Sequence, residues 1–416
     1  MKKEVATTIA PLDFGPTEDT SKGIIKVIGV GGGGCNAVKN MYLEEVPNVT
    51  FAVANTDSQV LSKSPVPIQI LLGDSGLGAG GDPDKGRTDA EENIEDIQKL
   101  LSDGTKLVFV TAGMGGGTGT GAAPVIAGIA KEMGLLTIGI VTIPFYFEKR
   151  KKIIKALKGV EKLRQNVDAL LIINNERLCD IYSESEVTVK EAFRRADQVL
   201  SDAAESISEL IFVEGEINLD FHDVETTMRG GGGAIMAMGR ASGKMRVQNA
   251  ILDALNSPLL YGNDIGKAKR ILLNVYTSSE HPMFVNEMNE LDAFMEAINP
   301  EVDFIYGLAD DDSLGEDCKI TILATGMDEE MHIGTLGTEA TDEDYDRLIA
   351  QLYNKSFSKR KRTTTEKAID FKEENADNDK ANQNGKDADS NQHPNPQQSF
   401  LGKLMETIEK LAKDDY

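Results

Sequence analysis

The segment TAGMGGGTGTGAAP, Thr111 to Pro124, follows directly on the apolar run Leu107 to Val110. It places six glycines and three threonines in fourteen positions. Glycine loses more conformational freedom on folding than any other residue, so a strand end this rich in glycine indicates a backbone that comes very close to something. The segment decides the rest of the interpretation, because a close approach of the main chain is typical of a binding loop.

Within this segment, Gly115 to Gly121 has the composition of an anion-binding loop. Its successive backbone N–H groups and the hydroxyls of Thr118 and Thr120 can converge on a negative charge. A helix predicted to begin near Ala122 adds the positive end of its dipole at the same place. The loop lacks the lysine of the G-x-x-x-x-G-K-[ST] pattern, which excludes an ordinary P-loop.

A second glycine loop, Gly29 to Asn36, reads GVGGGGCN and follows the apolar stretch Ile24 to Ile28. It fits the dinucleotide pattern G-x-G-x-x-G, with an acidic residue, Asp57, at a suitable distance downstream. This pattern arises easily in glycine-rich sequences, and a plain tight turn is the alternative. Two anion-binding loops on one sheet together favour a polyphosphate ligand.

The order of the apolar patterns predicts an α/β fold. Short apolar runs separated by helix-length segments indicate a parallel sheet covered on both faces. A capping-box sequence at Thr188 then opens a long helix, mixed patterns indicate a smaller α+β domain, and a short amphipathic piece begins near Thr341. The fold class is therefore an N-terminal Rossmann-like domain, a long central helix, an α+β C-terminal domain and a disordered tail. The expected division is 1–22 for a flexible extension, 23–187 for the nucleotide-binding domain, 188–212 for the central helix, 213–328 for the C-terminal α+β domain, 329–399 for a mostly disordered linker and 400–416 for an amphipathic docking segment.

Composition excludes several functional classes. A net charge of −24 over 416 residues argues against nucleic-acid binding, which needs basic residues to replace phosphate counterions. Three cysteines without CxxC spacing imply neither a disulfide framework nor a zinc site. The N-terminus lacks a signal-peptide pattern, and no stretch approaches the roughly 20 apolar residues of a membrane span. The expected location is the cytoplasm.

GGGTGTG is the signature loop of the tubulin and FtsZ superfamily of GTPases, and the chain resembles that family over about Gly23 to Met327. Other motifs follow in the family's order. They are GVGGGGCNAV at 29–38, NTD at 55–57, PFYFE at 144–148, NNERL at 174–178, AFRRADQVL at 192–200, NLDFHDV at 218–224 and SPLL at 257–260. The resemblance implies a GTPase of the cell-division ring at mid-cell that binds GTP or GDP with Mg²⁺. It also implies that the main partner is the protein itself, in a head-to-tail homopolymer.

The same resemblance assigns the nucleotide contacts. The two glycine loops would border the nucleotide and its phosphates, Glu148 and Asn175 would meet the ribose, and Phe193 and Asp197 would meet guanine. A carboxylate suits guanine because it accepts hydrogen bonds from both N1–H and the exocyclic amine, a donor pair that adenine lacks. The implied contacts are Gly32, Gly33, Gly34, Cys35, Asn36, Asn55, Gly115, Gly116, Gly117, Thr118, Gly119, Thr142, Pro144, Glu148, Lys152, Asn175, Phe193 and Asp197. Mg²⁺ is expected to be held mainly by phosphate oxygens and water, and no dedicated metal ligands are assigned.

The glycine loops contain no evident group to position and polarise the attacking water, so the catalytic carboxylates must come from elsewhere. The resemblance implies that Asn218, Asp220 and Asp223 reach the nucleotide of the next subunit. Taken without the family, two acidic residues three apart fit a helix cap equally well. A head-to-tail contact that does not close generates a filament, so hydrolysis would occur only where subunits meet.

Two parts of the sequence depart from the family pattern. Lys149 and Lys152 stand where glycine and arginine are common, and a lysine lacks the planar fork for a bidentate contact. The tail has no D-[IY]-P-x-F-L segment and ends instead in an apolar face over Phe400 to Leu411. Acidic residues near that face favour docking to a protein over an anionic membrane. The expected tail partners are membrane-tethering and regulatory division proteins, with no direct membrane insertion and no nucleic acid.

The sequence leaves two alternative functions open. An NAD-dependent oxidoreductase accounts for the first glycine loop but gives the second loop and NLDFHDV no role. A nucleotide-binding scaffold that polymerises without hydrolysis accounts for both loops, and it predicts that Asp220 is dispensable for phosphate release.

Overall fold

The computed structural model describes residues 23–177, 188–257, 265–327, 340–353 and Leu404. The expected extension 1–22 lies outside these residues. So do the parts of the expected linker and docking segment other than 340–353 and Leu404. Among the described helices, none has both the length and the apolar character needed to cross a membrane.

The first domain is built on a parallel sheet, as the apolar runs predict. Its strands are β1 Ile25–Val30, β2 Val49–Asn55, β3 Ile68–Leu71, β4 Leu107–Gly113, β5 Leu136–Ile143 and β6 Ala169–Asn174. Its helices are α1 Gly31–Leu43, α2 Ser58–Ser62, α3 Pro83–Glu91, α4 Ile94–Leu101, α5 Thr118–Glu132 and α6 Arg150–Gln165. The strand order is β3-β2-β1-β4-β5-β6, and every neighbouring pair runs parallel. β1, β4 and β5 are buried almost throughout because helices cover both faces.

The strand order reverses between β1 and β4, and this reversal places the site. In open parallel sheets, ligands bind in the crevice outside the carboxyl ends of the strands at such a reversal. α1 begins directly after β1 at Gly31, and Gly115 to Gly117 lie between β4 and α5. Both glycine loops therefore meet at the crevice.

Apolar layers lie on both faces of this sheet. Val108 and Val110 enter the layer that includes α5 and α6. Phe109, between them in β4, enters the layer that includes α1 and the long helix that follows the first domain. Alternate residues of one strand thus serve opposite layers, as the pleat of a strand requires.

The central helix, α7 Val189–Phe212, confirms the predicted long helix. The Thr188 hydroxyl accepts a hydrogen bond from the Glu191 N–H. The Glu191 carboxylate pairs with Arg194 and Arg195 instead of returning to Thr188, so half of the predicted capping box forms. A helix of 24 residues is about 36 Å long.

The second domain continues the same sheet. Its elements are β7 Gly215–Ile217, α8 Phe221–Met228, β8 Gly232–Ala241, α9 Arg246–Leu255, β9 Arg270–Thr277, α10 Val285–Ala297, β10 Asp303–Asp310 and β11 Cys318–Thr325. β8 pairs parallel with β6, and β11 pairs antiparallel with both β8 and β9. Among the described residues the sheet has 11 strands, and its second half runs β8-β11-β9-β10-β7. A separate apolar core packs between this half and α9 and α10.

After the second domain the chain returns to the first. The amphipathic piece predicted near Thr341 is α11, Asp342–Tyr353, and its apolar residues belong to the core that includes α6. Leu404, from the expected docking segment, is 2% exposed and belongs to the core of the second domain.

Candidate nucleotide site

The two glycine loops pack directly against each other at the reversal between β1 and β4. Gly31 has a φ of 70°, and a Cβ there would lie 2.6 Å from the backbone nitrogen of Gly119. A Cβ on Gly34 would lie 2.2 Å from the carbonyl oxygen of Thr111. Only glycine permits these approaches. The glycines therefore bring two strand ends and two helix starts to one point.

Both helices begin at this point without a side-chain cap. Neither Val30 before α1 nor Gly117 before α5 contributes a capping side chain. The first N–H groups of a helix have no partner within it, so two such ends suit an anion. Gly32 and Gly116 have no atom within 4 Å of the place a Cβ would take, which leaves open space in front of both loops.

The structure corrects the predicted start of the second helix. α5 begins at Thr118 and not near Ala122, because threonine hydroxyls complete the turn. Thr120 Oγ1 accepts from the Gly115 N–H at 2.8 Å, and Thr118 Oγ1 bonds Thr56 Oγ1 at 2.7 Å. Both hydroxyls thus shape the loop, and the first N–H groups of α5 come to the phosphate end of the crevice.

Asn55 connects the first loop to the end of β2. Its amide nitrogen lies 3.7 Å from the Cys35 sulfur, and its Oδ1 accepts from the Asp57 N–H. Burial raises the pKa of the Cys35 thiol to about 12, so the sulfur stays neutral. Asn36 is exposed in the second turn of α1. The Asp57 carboxylate caps α2, with its Oδ1 accepting from the N–H groups of Gln59 and Val60.

The segment after β5 forms the wall where ribose contacts are expected. Glu148 Oε1 accepts from the Phe145 N–H at 3.0 Å, and the other oxygen pairs with the Lys152 ammonium. A Cβ on Gly115 would lie 2.9 Å from side-chain carbons of both Lys152 and Pro144. Pro144 and Lys152 therefore flank the phosphate loop, and Glu148 pairs with Lys152. Lys152 offers a single ammonium group at this place, in contrast to the planar fork of an arginine.

Thr142 and Asn175 are buried in the same wall. Thr142 is near the end of β5, and its hydroxyl lies 3.6 Å from where a Cβ on Gly113, the last residue of β4, would be. Asn175 is 5% exposed, and its Oδ1 has no hydrogen-bond partner among the described residues. An unpaired buried polar atom is costly. Asn175 follows the last residue of β6, at the carboxyl end of the parallel strands where ligands bind, and this position fits a hydrogen bond that a bound ligand completes.

An aromatic cluster stands at the start of the central helix. Phe193 meets Phe145 edge to face with ring centroids 4.9 Å apart, and Phe145 stacks on Phe147 at 5.2 Å. Phe193 and Phe147 stay 40% and 51% exposed, which suits a flat base placed against them. Phe147 is not among the predicted contacts, although the PFYFE motif contains it. Asp197 follows Phe193 by one helical turn, and burial raises the pKa of its carboxyl to about 7.

The acidic loop NLDFHDV forms a tight cap on α8. Asp220 Oδ1 accepts from the N–H groups of His222 and Asp223, at 2.7 and 3.2 Å. Asp223 Oδ2 accepts from the Asp220 N–H at 2.9 Å, and Asn218 Oδ1 accepts from the Gly215 N–H at 2.6 Å. The helix cap suggested by the residues alone therefore exists. Each aspartate keeps one carboxylate oxygen outside these bonds, and Asn218 and Asp220 are exposed.

The acidic loop and the guanine-side residues lie at opposite ends of the central helix. Phe193 is in its first two turns, and Asn218 follows its end at Phe212. From Phe193 to its end at Phe212 the helix extends roughly 28 Å, and from Asp197 it extends roughly 22 Å. The structure thus brings the predicted nucleotide contacts together around one crevice and holds the three predicted catalytic residues away from it.

The crevice fits a guanine nucleotide. Uncapped helix N-termini suit phosphates, the unpaired Asn175 oxygen suits a sugar hydroxyl, and Asp197 beside Phe193 suits the base. In the part of the chain that the structure describes, no group of three or more His, Cys, Asp or Glu side chains could hold a metal ion.

Comparisons with known proteins agree with the geometry. The model for the Tubulin/FtsZ family, GTPase domain, matches residues 24–183, and the model for the FtsZ family, C-terminal domain, matches residues 232–328. The cell division protein FtsZ of Porphyromonas gingivalis is 52% identical over 321 residues, covering 76% of this chain and 70% of that protein. An empty FtsZ dimer from M. jannaschii has a TM-score of 0.67 and 36% identity, covering 73% of this chain and 88% of that one.

A more distant structure shares the fold alone. The GTPγS-bound protofilament of CetZ2 from Haloferax volcanii has a TM-score of 0.63 and 18% identity, covering 79% of this chain and 98% of that one. Nothing in these matches supports an NAD-dependent oxidoreductase. The family models span both domains, and the 52% identity extends across most of the same region. The chain belongs to the tubulin/FtsZ family, and its first domain is that family's GTPase domain, which takes GTP or GDP with Mg²⁺.

Proposed function

We propose that this chain hydrolyses GTP to GDP and phosphate at the contacts between successive copies of itself, and that these copies form filaments of the cell-division ring at mid-cell. In this proposal the crevice residues hold the nucleotide. Asn218, Asp220 and Asp223 act on the nucleotide of the next copy. The working units are 23–187, the helix 188–212 and 213–328.

One observation gives the strongest support to the proposal that one copy holds the nucleotide and the next copy acts on it. The acidic loop follows the end of the central helix that lies away from the residues that would meet guanine, roughly 22–28 Å farther along the helix. That length is beyond the reach of a side chain, and it supports assigning these carboxylates to a nucleotide held by another copy. A contact in which the acidic end of one copy meets the crevice of the next repeats along an open chain and yields a filament.

The chemistry of the two surfaces is complementary. Backbone N–H groups of the glycine loops would hold the phosphates, and Asp197 would accept from guanine. The attacking water needs a group that orients it in line with the γ-phosphate. Asp220 and Asp223 are fixed by each other's main chain before any partner arrives, which is the preorganisation that such a role needs. We assign Mg²⁺ mainly to phosphate oxygens and water.

The relatives' names point the same way. The Porphyromonas gingivalis relative is a cell division protein, the M. jannaschii structure is a dimer, and the CetZ2 structure is a protofilament with GTPγS. Loss of the γ-phosphate would remove charge and contacts from the interface and weaken the filament. We assign the segment 400–416 to docking on membrane-tethering and regulatory division proteins, which requires Leu404 to leave the core of the second domain.

Phosphate release over a range of protein concentrations tests the shared site. We expect release per molecule to rise with concentration, together with GTP-dependent light scattering. Asp220→Asn removes the charge but keeps a good N-cap. We expect it, and Asp223→Asn, to lower kcat roughly 100-fold or more with unchanged GTP affinity.

Two results would contradict the proposal. One is a rate per molecule that does not change with concentration down to the fully dissociated monomer. The other is hydrolysis at the wild-type rate in both asparagine variants, which is the result that a non-hydrolytic role for Asp220 predicts.

A further inference from the structure

We propose that α11 is the outer support of the ribose side of the nucleotide site, and that Tyr353 is a positioning residue that holds the main chain of Pro144. The inference rests on the proposed role of Pro144 to Glu148 in nucleotide binding. It extends that role to a helix that lies beyond the C-terminal domain in sequence but packs on the first domain.

An apolar face anchors α11. Tyr345, Leu348, Ile349 and Tyr353 are each no more than 4% exposed. Their spacing of three, four and eight residues from Tyr345 places them on one side of a helix. All four belong to the same core as α6 and the end of β5. The helix is therefore an integral part of the first domain's outer layer.

Polar contacts fix the direction of α11 across α6. Arg150 Nε lies 2.6 Å from Asp346 Oδ1, and Arg150 also donates to the Asp342 carbonyl at 3.2 Å. The Tyr345 hydroxyl lies 3.0 Å from Glu161 Oε2. Glu161 is in the second half of α6, away from the crevice, so this contact involves no proposed nucleotide residue.

The last turn of α11 reaches the crevice side of the sheet. The Tyr353 hydroxyl donates to the Pro144 carbonyl at 2.6 Å in a buried hydrogen bond. Asn174, the last residue of β6, donates from its amide to the Leu352 carbonyl at 2.9 Å. The Tyr353 and Tyr146 ring centroids are 5.8 Å apart. Burial raises the pKa of the Tyr353 hydroxyl, so it remains a neutral donor.

These bonds act on the segment that joins the phosphate loop to the ribose wall. Pro144 packs beside Gly115 on one side, and the short turn that carries Glu148 follows on the other. A proline has no N–H, so its carbonyl is its one main-chain hydrogen-bonding group. Without the Tyr353 hydroxyl this buried acceptor would lose its partner, and the segment would be held less firmly. Nucleotide should then leave sooner.

The coupling must also work in reverse. If docked α11 favours bound nucleotide, bound nucleotide favours docked α11 by the same factor. The segment that follows α11 in the chain is therefore attached to a helix whose packing depends on whether nucleotide is bound.

Two tyrosines of the same helix supply matched variants for a test in the full-length chain. Tyr353→Phe removes the bond to Pro144, and Tyr345→Phe removes the bond to Glu161. Dissociation of a fluorescent GDP analogue is followed by stopped flow, and KM and kcat by phosphate release. We expect Tyr353→Phe to speed dissociation and raise KM roughly three- to tenfold with unchanged kcat at saturating GTP. Tyr345→Phe should leave both nucleotide measurements unchanged.

The inference is overturned if the two variants shift dissociation equally, or if neither does, because α11 would then be structural only. Hydrogen exchange gives an independent check that needs no variant. Saturating GDP should slow exchange in 342–353, and equal rates with and without GDP would overturn the coupling. A wild-type chain that binds no guanine nucleotide would contradict the proposed function itself, which separates that failure from this one.

Discussion

The glycine crevice and the acidic loop are built in opposite ways. In the crevice the expected contacts are mostly main-chain groups, packed so closely that a Cβ on Gly34 would overlap Thr111. In the acidic loop they are side chains, and Asn218 and Asp220 are exposed. The crevice is fixed by the sheet beneath it, whereas the loop is fixed by its own helix cap.

The difference shows why binding and hydrolysis can be separated in one chain. A site made of backbone is complete as soon as the domain folds, because the sheet positions every N–H group. In our proposal the Asp220 and Asp223 carboxylates, beyond the far end of the central helix, act only once another copy arrives. Variants that alter one of the two regions and leave the other intact should therefore separate the two activities.

The largest effect is expected from a charge placed in the crevice. Gly116 faces open space, so Gly116→Asp should fold normally and put a carboxylate where phosphates would bind. We expect GTP affinity to fall roughly 100-fold or more, measured by equilibrium binding. Gly34→Ala is the contrasting variant, because its Cβ would meet the Thr111 carbonyl. It should lower stability by about 1–3 kcal/mol.

A normal melting temperature for Gly116→Asp, together with a lowered one for Gly34→Ala, would show that the loops contain both packing glycines and ligand-facing glycines. Wild-type GTP affinity in Gly116→Asp would contradict the placement of phosphates at this loop.

The second-largest effect is expected when a variant with a defective crevice is mixed with a variant with a defective acidic loop. Gly116→Asp lacks a working crevice, and Asp220→Asn lacks a working loop, so each alone should be nearly inactive. In an equal mixture, an Asp220→Asn copy can hold GTP while a Gly116→Asp copy supplies Asp220. We expect hydrolysis roughly tenfold above either variant alone, measured as phosphate release at fixed total protein. A rate of phosphate release in the mixture equal to the mean of the two separate rates would mean that a single copy supplies both the nucleotide site and the catalytic carboxylates.

An effect of intermediate size concerns pH. Burial disfavours the charged form of the Asp197 carboxyl and raises its pKa to about 7. Guanine donates to the ionised form, so affinity should be highest above pH 7 and fall as protonation increases below it. Between pH 8 and pH 6 the ionised fraction falls roughly tenfold, and GDP affinity should follow. Asp197→Asn should bind weakly and without this slope; a wild-type affinity that is flat over this range would contradict the role.

Much of the first domain could be predicted from the sequence because its strands are buried on both faces. Continuous apolar runs such as Leu107 to Val110 are typical of such strands. β8 has no such run of strand-favouring residues, since Gly232 to Ala241 is dominated by glycine, alanine and methionine. The edge strand β3 is mostly exposed, so it does not follow the pattern of a strand buried on both faces. α5 begins earlier than expected because hydrogen bonds of Thr118 and Thr120 offset the poor helix propensity of the glycines around them.

The site could be predicted in part for a related reason. Glycine spacing reveals where a backbone must be close to something, but not which chain element approaches. The partner of α11 could not be predicted, because an amphipathic pattern shows that a helix has a buried face without naming what covers it. A contact of Phe147 with the base could not be predicted either, because its exposed position beside Phe193 is visible only once the central helix is in place.

The smallest effect separates the structural role of the acidic loop from its chemical one. Asp220→Ala removes both the charge and the cap of α8, whereas Asp220→Asn removes only the charge. We expect Ala to lower the free energy of unfolding by about 1 kcal/mol, and Asn to change it little, in urea denaturation with GDP and below the assembly concentration. Hydrolysis should be lost equally in both. Equal destabilisation by Ala and Asn would mean that the charge of the carboxylate at the helix N-terminus, and not its hydrogen bonds, holds the cap of α8.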